Sequence, residues 1–477
     1  MPRLHDLQTL SFDFPSLAAA YHDGLSPRAL VQEVQRRIAI EQDQHIWTYL
    51  IPLEQLLEQV VRLEQAAARG TRLPLFGLPF GVKDNIDVAG LPTSAGCASF
   101  TYTASRTAQV VARLTAAGAI LIGKQNMDQF ATGLVGIRSP QGYCRNAFHP
   151  EYIPGGSSSG SAVAVSRGHV SFSIGSDTGG SGRVPAALNN IVGLKPTPGR
   201  VSSDGFLYCN RSFDVAPVFA LTSDDAYSVL ASIEGHDPHD IYSVTVPTEK
   251  FPAHLPKHFR FGLPGTRHLN FFGDGLAEAQ FEQALGRLKA LGGEAVEIDF
   301  EPFAGAGRLV FNSALIAERW LTYGAAIEAD ERHVHPAVRQ SILAAKRYSA
   351  ADAFDTLYTL EAYKQQAWRE LDKVDLLALP TAATIYRIKD VEADPLTLNT
   401  NLGYYTYFAN PLRLTAVSVP AGLRPDGLPF GLCLLAKAFE DNRLLPYARA
   451  FQESVGGKLG ATDHAYRSLA TVTGAAA

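Results

Sequence analysis

Short apolar segments bounded by glycine or turn residues alternate with helical patterns in the first half of the chain. The strand-like segments are Leu75–Val82, Ala119–Ile122 and Val170–Ile174, and helical patterns lie between them at Thr107–Ala117 and Ser159–Ser166. Repeated alternation of strand and helix is typical of a sheet that is covered by helices on both faces. The sequence therefore predicts an α/β fold.

Helical periodicity dominates the amino-terminal part of the chain and a long stretch of its second half. Apolar residues repeat at helical spacing over residues 14–70. They do so again after residue 222, where one continuous helix is predicted over Ala304–Ala329. Strand character returns at Leu376–Leu379. We therefore predict one domain in four parts: an N-terminal helical segment packed on the core (1–70), a core that carries the catalytic motifs (71–222), a mainly helical insertion on the substrate side (223–375), and a C-terminal part that completes the sheet (376–477).

The composition excludes several classes of function. The chain has 477 residues, a net charge of −5 and no basic run, so we predict no nucleic-acid partner. Apolar stretches such as Gly431–Ala436 are far too short to span a bilayer, and Met1–Asp6 do not begin a secretory signal. The four cysteines are scattered and form no C-x-x-C pair, which favours free thiols in a reducing compartment. We predict a cytoplasmic protein with no membrane partner.

Lys83 ends an apolar strand, in the segment G-V-K-D-N. Burial disfavours the charged form of an amine, so a lysine at the end of a buried strand can act as a base. The alternative for this residue is a structural salt bridge, for example with Asp84.

Two glycine-rich segments carry serines. Gly155–Ser161 reads G-G-S-S-S-G-S, and Ser176–Arg183 reads S-D-T-G-G-S-G-R. In the second, two glycines precede Ser181, and such glycines permit a tight turn that aims several backbone N–H groups at a developing oxyanion. The alternatives are a plain glycine turn for the second segment, and a linker, a helix cap or a phosphate-binding loop for the first. A P-loop is disfavoured because no G-K-[S/T] follows.

The histidines offer a weaker route to catalysis. His254 and His258 have an H-x-x-x-H spacing, but Pro256 between them interrupts the helix that would place both on one face. No cysteine lies near this pair or the other close pairs, His236 with His239 and His333 with His335, to complete a metal site. A Ser-His-Asp triad stays open, because its members converge only in the fold. We predict no metal and no cofactor.

Taken together, the lysine segment and the two serine segments resemble the amidase signature family, and the resemblance covers nearly the whole chain. In that family the lysine, the first serine of G-G-S-S and the serine of G-G-S-x-R form the catalytic triad. The resemblance implies a central mixed sheet. It also implies Lys83 as the base, Ser157 as the bridging residue after a cis peptide bond to Gly156, and Ser181 as the nucleophile.

The same resemblance assigns further residues of the second serine segment. It implies an oxyanion hole built from the backbone N–H groups of four residues: Thr178, Gly179, Gly180 and Ser181. It implies supporting roles for three others: Asp177 and Arg183, expected to form an ion pair, and Ser158.

Longer stretches are similar to the amidase domain of allophanate hydrolases, among them G-K-Q-N-M-D-Q-F-A-T-G-L-V-G-I-R-S-P and V-P-A-G-L-R-P-D-G-L-P-F-G. Allophanate is a carboxylated urea, and the family places an arginine in an A-E-R segment to bind its carboxylate. The resemblance implies hydrolysis of a small ureido amide with release of ammonia, and we expect a homodimer. The substrate-binding residues that it implies are Arg319, Phe311, Gly133 and Gln129.

The sequence departs from the allophanate hydrolase pattern in and around this predicted site. Phe311 stands where the family has a tyrosine, and a phenylalanine cannot donate a hydrogen bond. Tyr407 replaces an asparagine, and Gly179 stands where these hydrolases tend to have alanine. Biuret and guanylurea therefore stay open as substrates. So does a role as the amidase-type component of a complex that passes ammonia to tRNA-bound substrates.

Overall fold

A computed structural model describes residues 7–42, 45–247 and 251–467. Met1–Asp6, on which the prediction about a secretory signal rests, lie outside the described residues. Within the described ranges, no helix combines the length and the apolar character needed to cross a bilayer. All four cysteines of the chain are buried and unpaired in this structure.

The strands form one large sheet and one small hairpin. In chain order they are β1 Trp47–Leu50, β2 Pro79–Lys83, β3 Pro92–Thr93, β4 Tyr102–Thr103, β5 Ile120–Gln125, β6 Phe172–Ile174, β7 Val192–Lys195, β8 Val218–Ala220, β9 Phe259–Pro264, β10 Gly293–Ile298, β11 Leu376–Pro380, β12 Thr415–Leu423 and β13 Pro429–Ala436. Eleven of them join the large sheet in the order β1-β5-β2-β6-β8-β7-β12-β13-β11-β9-β10, and β3 pairs with β4.

The large sheet mixes parallel and antiparallel pairs. Strand β2 runs parallel to both β5 and β6, and β9 runs parallel to β10 and β11. The strands around β8, β12 and β13 pair antiparallel. The predicted α/β class with a central mixed sheet is therefore confirmed.

Helices pack around this sheet. They are α1 Phe14–His22, α2 Pro27–Ile40, α3 Leu53–Ala68, α4 Gln109–Ala116, α5 Ser159–Ser166, α6 Val184–Ala187, α7 Ser223–Ile233, α8 Gly275–Ala290, α9 Glu301–Asn312, α10 Ala317–Ala329, α11 Pro336–Leu343, α12 Ala350–Leu371, α13 Ile388–Ala393, α14 Thr397–Leu402 and α15 Asp441–Val455. Every residue of α5 is buried. This helix consists of small and apolar residues all round, as expected for a helix enclosed by the protein on all sides.

Two features differ from the sequence-based expectation. The amino-terminal region contains a strand, β1, which pairs antiparallel with β5. The helix predicted over Ala304–Ala329 is wrong, because α9 and α10 are separated at Ser313, whose backbone is extended. The Ser313 hydroxyl accepts a hydrogen bond from the Leu315 N–H at 3.2 Å, which gives the backbone a local alternative to the helical bond.

The region 223–375 also supplies strands. Strands β9 and β10 lie at the end of the large sheet and pair in parallel over their whole length. Phe259 and Phe261 of β9 are buried in the main hydrophobic core. This region therefore shares both the sheet and the core with residues 71–222. The boundaries of the four parts stay predictions.

Candidate active site

Lys83 is the last residue of strand β2, which lies between β5 and β6 in the large sheet. The whole strand is buried, and its Phe80 stacks on Phe172 of β6 with ring centroids 5.2 Å apart. This packing fixes the direction in which Lys83 leaves the sheet. Its side chain is fully buried, and Nζ lies 2.7 Å from Ser157 Oγ.

Ser157 lies just before the buried helix α5, and its peptide bond to Gly156 is cis. Close packing explains the glycine, because a Cβ at position 156 would lie 2.1 Å from Asp128 Oδ2. The Asp128 N–H also donates to the Ser157 carbonyl at 3.0 Å. The backbone around the serine is therefore held from both sides.

Ser181 lies in the glycine-rich loop that follows β6. Ser157 Oγ and Ser181 Oγ lie within hydrogen-bonding distance of each other, at 2.9 Å, and both side chains are buried. The three predicted residues thus form a continuous chain, from Lys83 Nζ through Ser157 Oγ to Ser181 Oγ. Such a chain can pass a proton from the last hydroxyl to an amine.

Burial lowers the pKa of Lys83 to about 7, against the opposite effect of nearby acidic groups, of which Asp128 is the strongest. Apart from Ser157, the amine contacts Ser176, at 2.8 Å from its hydroxyl oxygen and 3.3 Å from its carbonyl oxygen. The Asn85 amide donates to the same hydroxyl at 3.2 Å. The environment therefore favours the neutral amine that a base requires.

The loop before Ser181 presents several backbone N–H groups. Those of Thr178, Gly179 and Ser181 donate no hydrogen bond within the described part of the chain. Gly180 differs from the expectation, because its N–H donates to Asp177 Oδ1 at 2.8 Å. Three of the four N–H groups that were predicted to bind an oxyanion are therefore unengaged.

Asp177 and Arg183 form an ion pair beneath this loop. Both side chains are fully buried, and Arg183 Nε and Nη2 each lie 3.0 Å from a different Asp177 carboxylate oxygen. Burial alone would raise the pKa of Asp177, but the Arg183 guanidinium holds it below its usual value. Arg183 also donates to the Thr406 carbonyl at 3.1 Å and to Asn410 Oδ1 at 3.1 Å. The pair therefore ties the loop to the segment that precedes β12.

Arg319 is a cation that lacks a charged partner among the described residues. The side chain lies on α10 and is fully buried. Its Nε donates to Cys209 Sγ at 2.9 Å, and its Nη1 donates to the Val310 carbonyl at 3.3 Å. Its Nη2 has no hydrogen-bond partner within the same ranges. A buried guanidinium with an unused donor is suited to bind an anionic group.

Phe311 and Tyr407 lie next to this arginine. The Arg319 guanidinium lies over the Phe311 ring, 4.4 Å from its centroid. The Phe311 and Tyr407 rings lie 4.8 Å apart. The ring that replaces the expected tyrosine therefore contacts the cation through its face and not through a hydrogen bond.

Gln129 and Gly133, which were predicted to bind substrate, both contact other residues of the protein. The Gln129 side-chain amide donates to the His333 carbonyl at 2.8 Å and accepts from the His335 N–H at 2.7 Å. Both ends of the predicted substrate-binding amide are thus engaged by the segment before α11. A Cβ at Gly133 would lie 2.7 Å from Asp128 Oδ2, so the glycine allows the loop to pack on that carboxylate.

Several residues that sequence reasoning did not single out organise the site. The Asp128 carboxylate accepts from the N–H groups of Gly136 and Arg138, both at 2.9 Å. The Asp214 carboxylate accepts from the Thr178 hydroxyl at 2.6 Å, and burial raises its pKa to about 7. The local sequence around each residue offers little signal for these roles, since the contacts depend on segments that meet only in the fold.

Ser176 and Ser158 lie behind the lysine. Ser176, which was not singled out, contacts the Lys83 amine, and the Ser158 hydroxyl donates to the Ser176 carbonyl at 3.2 Å. Ser158 therefore supports the residue that orients the amine, without contacting Ser181 in any described hydrogen bond.

Comparison with known proteins agrees with the motifs. The Amidase family model matches residues 29–445. The urea amidolyase of Saccharomyces cerevisiae is 40% identical over 415 residues, which cover 86% of this chain but 22% of that protein. The chain thus spans about a fifth of the length of the urea amidolyases it matches. A glutamyl-tRNA(Gln) amidotransferase component from Exiguobacterium sp. is 35% identical, over 90% of this chain and 94% of that component.

Solved structures give the same result. A Kluyveromyces lactis allophanate hydrolase superposes with a TM-score of 0.89 and 36% identity, covering 96% of this chain and 76% of that one. A peptide amidase from Stenotrophomonas maltophilia superposes with a TM-score of 0.78 and 28% identity, covering 92% and 96%. The chain therefore belongs to the amidase signature family.

Proposed function

We propose that this protein is an enzyme that hydrolyses the terminal amide of a small carboxylated urea, allophanate first, and releases ammonia. In this proposal Lys83 is the base, Ser157 relays the proton and Ser181 is the nucleophile. The observation that carries it is the unbroken contact of the three side chains, 2.7 Å and then 2.9 Å, in a buried site. The cytoplasmic location and the homodimer stay predictions from the sequence.

The surroundings of the amine assign a direction to the relay. A neutral amine has two N–H donors and one lone pair. The Ser176 hydroxyl and carbonyl oxygens lie within reach of the two donors. The lone pair is then left for the Ser157 hydroxyl. Lys83 takes the proton of Ser157 as Ser157 takes that of Ser181, and Ser181 Oγ forms a bond to the amide carbon.

The backbone N–H groups of Thr178, Gly179 and Ser181 stabilise the resulting oxyanion. Each is unengaged and lies within three residues of the nucleophile, so no hydrogen bond has to break before it can donate. The Gly180 N–H, held by Asp177, keeps the loop in shape instead. The relay then runs backwards, the C–N bond breaks and ammonia leaves with the returned proton. Water next hydrolyses the acyl ester on Ser181 and frees the nucleophile.

The substrate class follows from Arg319. Its buried cation has no carboxylate partner among the described residues and keeps Nη2 unused, so an anion is the ligand that would complete it. This argues for a carboxylated urea over neutral biuret. It argues most strongly against guanylurea, which carries a positive charge of its own. The similarity to a solved allophanate hydrolase supports the same choice.

Ammonia release from allophanate, malonamate, biuret, guanylurea and acetamide tests the proposal. We expect turnover of the two carboxylated compounds to exceed that of the others, and Ser181→Ala to abolish all of it. Arg319→Met should raise KM for malonamate about tenfold to a hundredfold, because a hydrogen bond to a charged group contributes about 1.5–3 kcal/mol. The same change should leave acetamide turnover within threefold. Preferred turnover of biuret, unaffected by Arg319→Met, would contradict the assignment of the substrate.

One observation favours a second candidate. The chain covers 94% of the matched glutamyl-tRNA(Gln) amidotransferase component, far more than its share of the urea amidolyases. A component of that kind would release ammonia from glutamine. Glutaminase activity that rises when partner proteins are added, with no turnover of malonamate, would favour this candidate over the first.

A further inference from the structure

The Tyr407 ring fills the space directly beside the loop that carries the nucleophile. A Cβ at Gly179 would lie 2.8 Å from Tyr407 Cδ1, closer than real Cβ contacts come. Gly179 does not have a positive φ, so space and not backbone conformation excludes a side chain there. The ring also lies against Gly403, where a Cβ would be 2.0 Å from Tyr407 Cζ. The ring therefore packs closely against two glycines.

Hydrogen bonds fix this ring relative to the oxyanion loop, which consists of residues 178–181. The Thr406 hydroxyl donates to the Gly179 carbonyl at 2.7 Å, one residue before the tyrosine. The Tyr407 hydroxyl accepts from the Asn399 side-chain amide at 3.2 Å, and Asn399 Oδ1 accepts from the Leu134 N–H at 2.7 Å. The tyrosine therefore connects the oxyanion loop with the loop at Leu134 and has little freedom to move aside.

The contacts continue from this ring to the buried cation. Tyr407 lies against Phe311, with centroids 4.8 Å apart, and Phe311 lies against the Arg319 guanidinium at 4.4 Å. An unbroken row of contacts, Gly179 to Tyr407 to Phe311 to Arg319, thus joins the oxyanion loop to the anion-binding group. Two rings therefore pack in a row between these two ends of the site.

We infer that Tyr407 is a specificity-determining residue, which limits the length of the acid that fits between the oxyanion loop and Arg319. The inference rests on the proposed function, in which the carboxylate on Arg319 belongs to the acyl part of the substrate. A substrate with one atom between amide carbonyl and carboxylate, as in allophanate and malonamate, fits along the wall that the Tyr407 and Phe311 rings form. Succinamate and glutaramate, with two and three carbons there, meet the Tyr407 ring.

The test compares kcat/KM for malonamate, succinamate and glutaramate in three proteins. Wild type should prefer malonamate over succinamate by at least tenfold, since one methylene in a fixed pocket discriminates by about 10- to 200-fold. Tyr407→Val, which removes the ring, should lower this ratio at least tenfold by improving succinamate. Tyr407→Phe, the matched control, keeps the ring and should keep the ratio within threefold. If Tyr407→Val does not fold, Tyr407→Leu takes its place.

A second measurement tests whether the Tyr407 ring limits chain length without using a carboxylated substrate. Alkyl fluorophosphonates label the nucleophilic serine, forming an O–P bond and expelling fluoride. Tyr407→Val should raise the rate with a hexyl probe relative to a methyl probe at least tenfold. Gly179→Ala should slow methyl labelling at least tenfold beside Tyr407 but less than threefold in the Tyr407→Val background, where Cδ1 is absent.

The two proposals fail in different ways. Unchanged chain-length ratios in Tyr407→Val, or equal effects of Gly179→Ala in both backgrounds, overturn the role of Tyr407 whatever the substrate is. Absence of malonamate turnover in wild type, together with the expected probe ratios, overturns the carboxylated substrate and leaves the wall in place.

Discussion

Replacing Lys83 by methionine should abolish the base and, at neutral pH, make the protein more stable. In the folded chain burial lowers the pKa of this amine from 10.5 to about 7. At about 1.4 kcal/mol per pKa unit, this difference corresponds to about 5 kcal/mol of opposition to folding while the amine is protonated in both states. Methionine loses the hydrogen bonds to Ser157 and Ser176, at about 1 kcal/mol each, so we expect a net gain of about 3 kcal/mol.

The lowered pKa of Lys83 also determines how the free energy of unfolding changes with pH. Between pH 7 and 10.5 the unfolded chain holds a proton that the folded Lys83 has lost, so the free energy of unfolding of the wild type rises with pH in that window. Integrated from pH 6 to pH 9, the rise is about 3 kcal/mol. In Lys83→Met it is absent, so the variant's advantage should shrink by that amount.

Urea unfolding of wild type and Lys83→Met at pH 6 and pH 9 measures the difference in their free energies of unfolding. The contributions of titratable groups that both proteins share cancel in this difference. Fluorophosphonate labelling of Ser181 should fall at least a thousandfold in Lys83→Met. In the wild type the labelling rate should rise about tenfold per pH unit below 7 and level off above.

Lys195→Met is the matched control, since burial also lowers the pKa of Lys195 to about 7 but its amine contacts the Pro196 carbonyl and not the serines. It should reproduce the stability effect and keep labelling within tenfold. Parallel stability curves for wild type and Lys83→Met would refute the neutral base.

Two further changes test the supports of the site. Asp177→Asn leaves the Arg183 charge buried without its partner and should lower the free energy of unfolding by about 3–5 kcal/mol in urea titrations, and a loss under about 1 kcal/mol would contradict this. Cys209→Ala removes the acceptor of Arg319 Nε and should raise KM for malonamate about fivefold at unchanged kcat, as expected for about 1 kcal/mol. Cys209→Ser should restore KM, and equal KM values in all three proteins would assign the thiol no positioning role.

The three side chains of the proposed triad could be found from the sequence because their segments together match the pattern of a family. An apolar strand that ends in Lys83 and glycine-rich turns around Ser157 and Ser181 are each open to other interpretations alone, and their combination is distinctive. Asp128 and Ser176 lacked such a signal, although they lie in segments that were singled out. Their roles arise from contacts with backbone N–H groups and an amine on other segments, which no local pattern encodes.

The missed parts of the fold have similar physical causes. Strand β1 has four residues, and only its pairing with β5 distinguishes it from the helical pattern on either side. The break between α9 and α10 lies at Ser313, whose hydroxyl accepts a hydrogen bond from the Leu315 N–H. The substrate-binding role of Gln129 stays a prediction, and its side-chain amide contacts a segment more than 200 residues away. Short strands, side-chain caps and long-range amide contacts are decided by tertiary structure, which overrides local propensity.

The departures from the allophanate hydrolase pattern are one structural feature. Taken singly in the sequence, Gly179, Tyr407 and Phe311 are unrelated substitutions. In the fold they touch in that order and end on Arg319. An alanine at 179 would require the Tyr407 ring to move, and a small side chain at 407 would leave the face of Phe311 uncovered. Because Gly179 and the Tyr407 ring share one space, Gly179→Ala alone should harm the site, while the same change together with a smaller side chain at 407 should be tolerated.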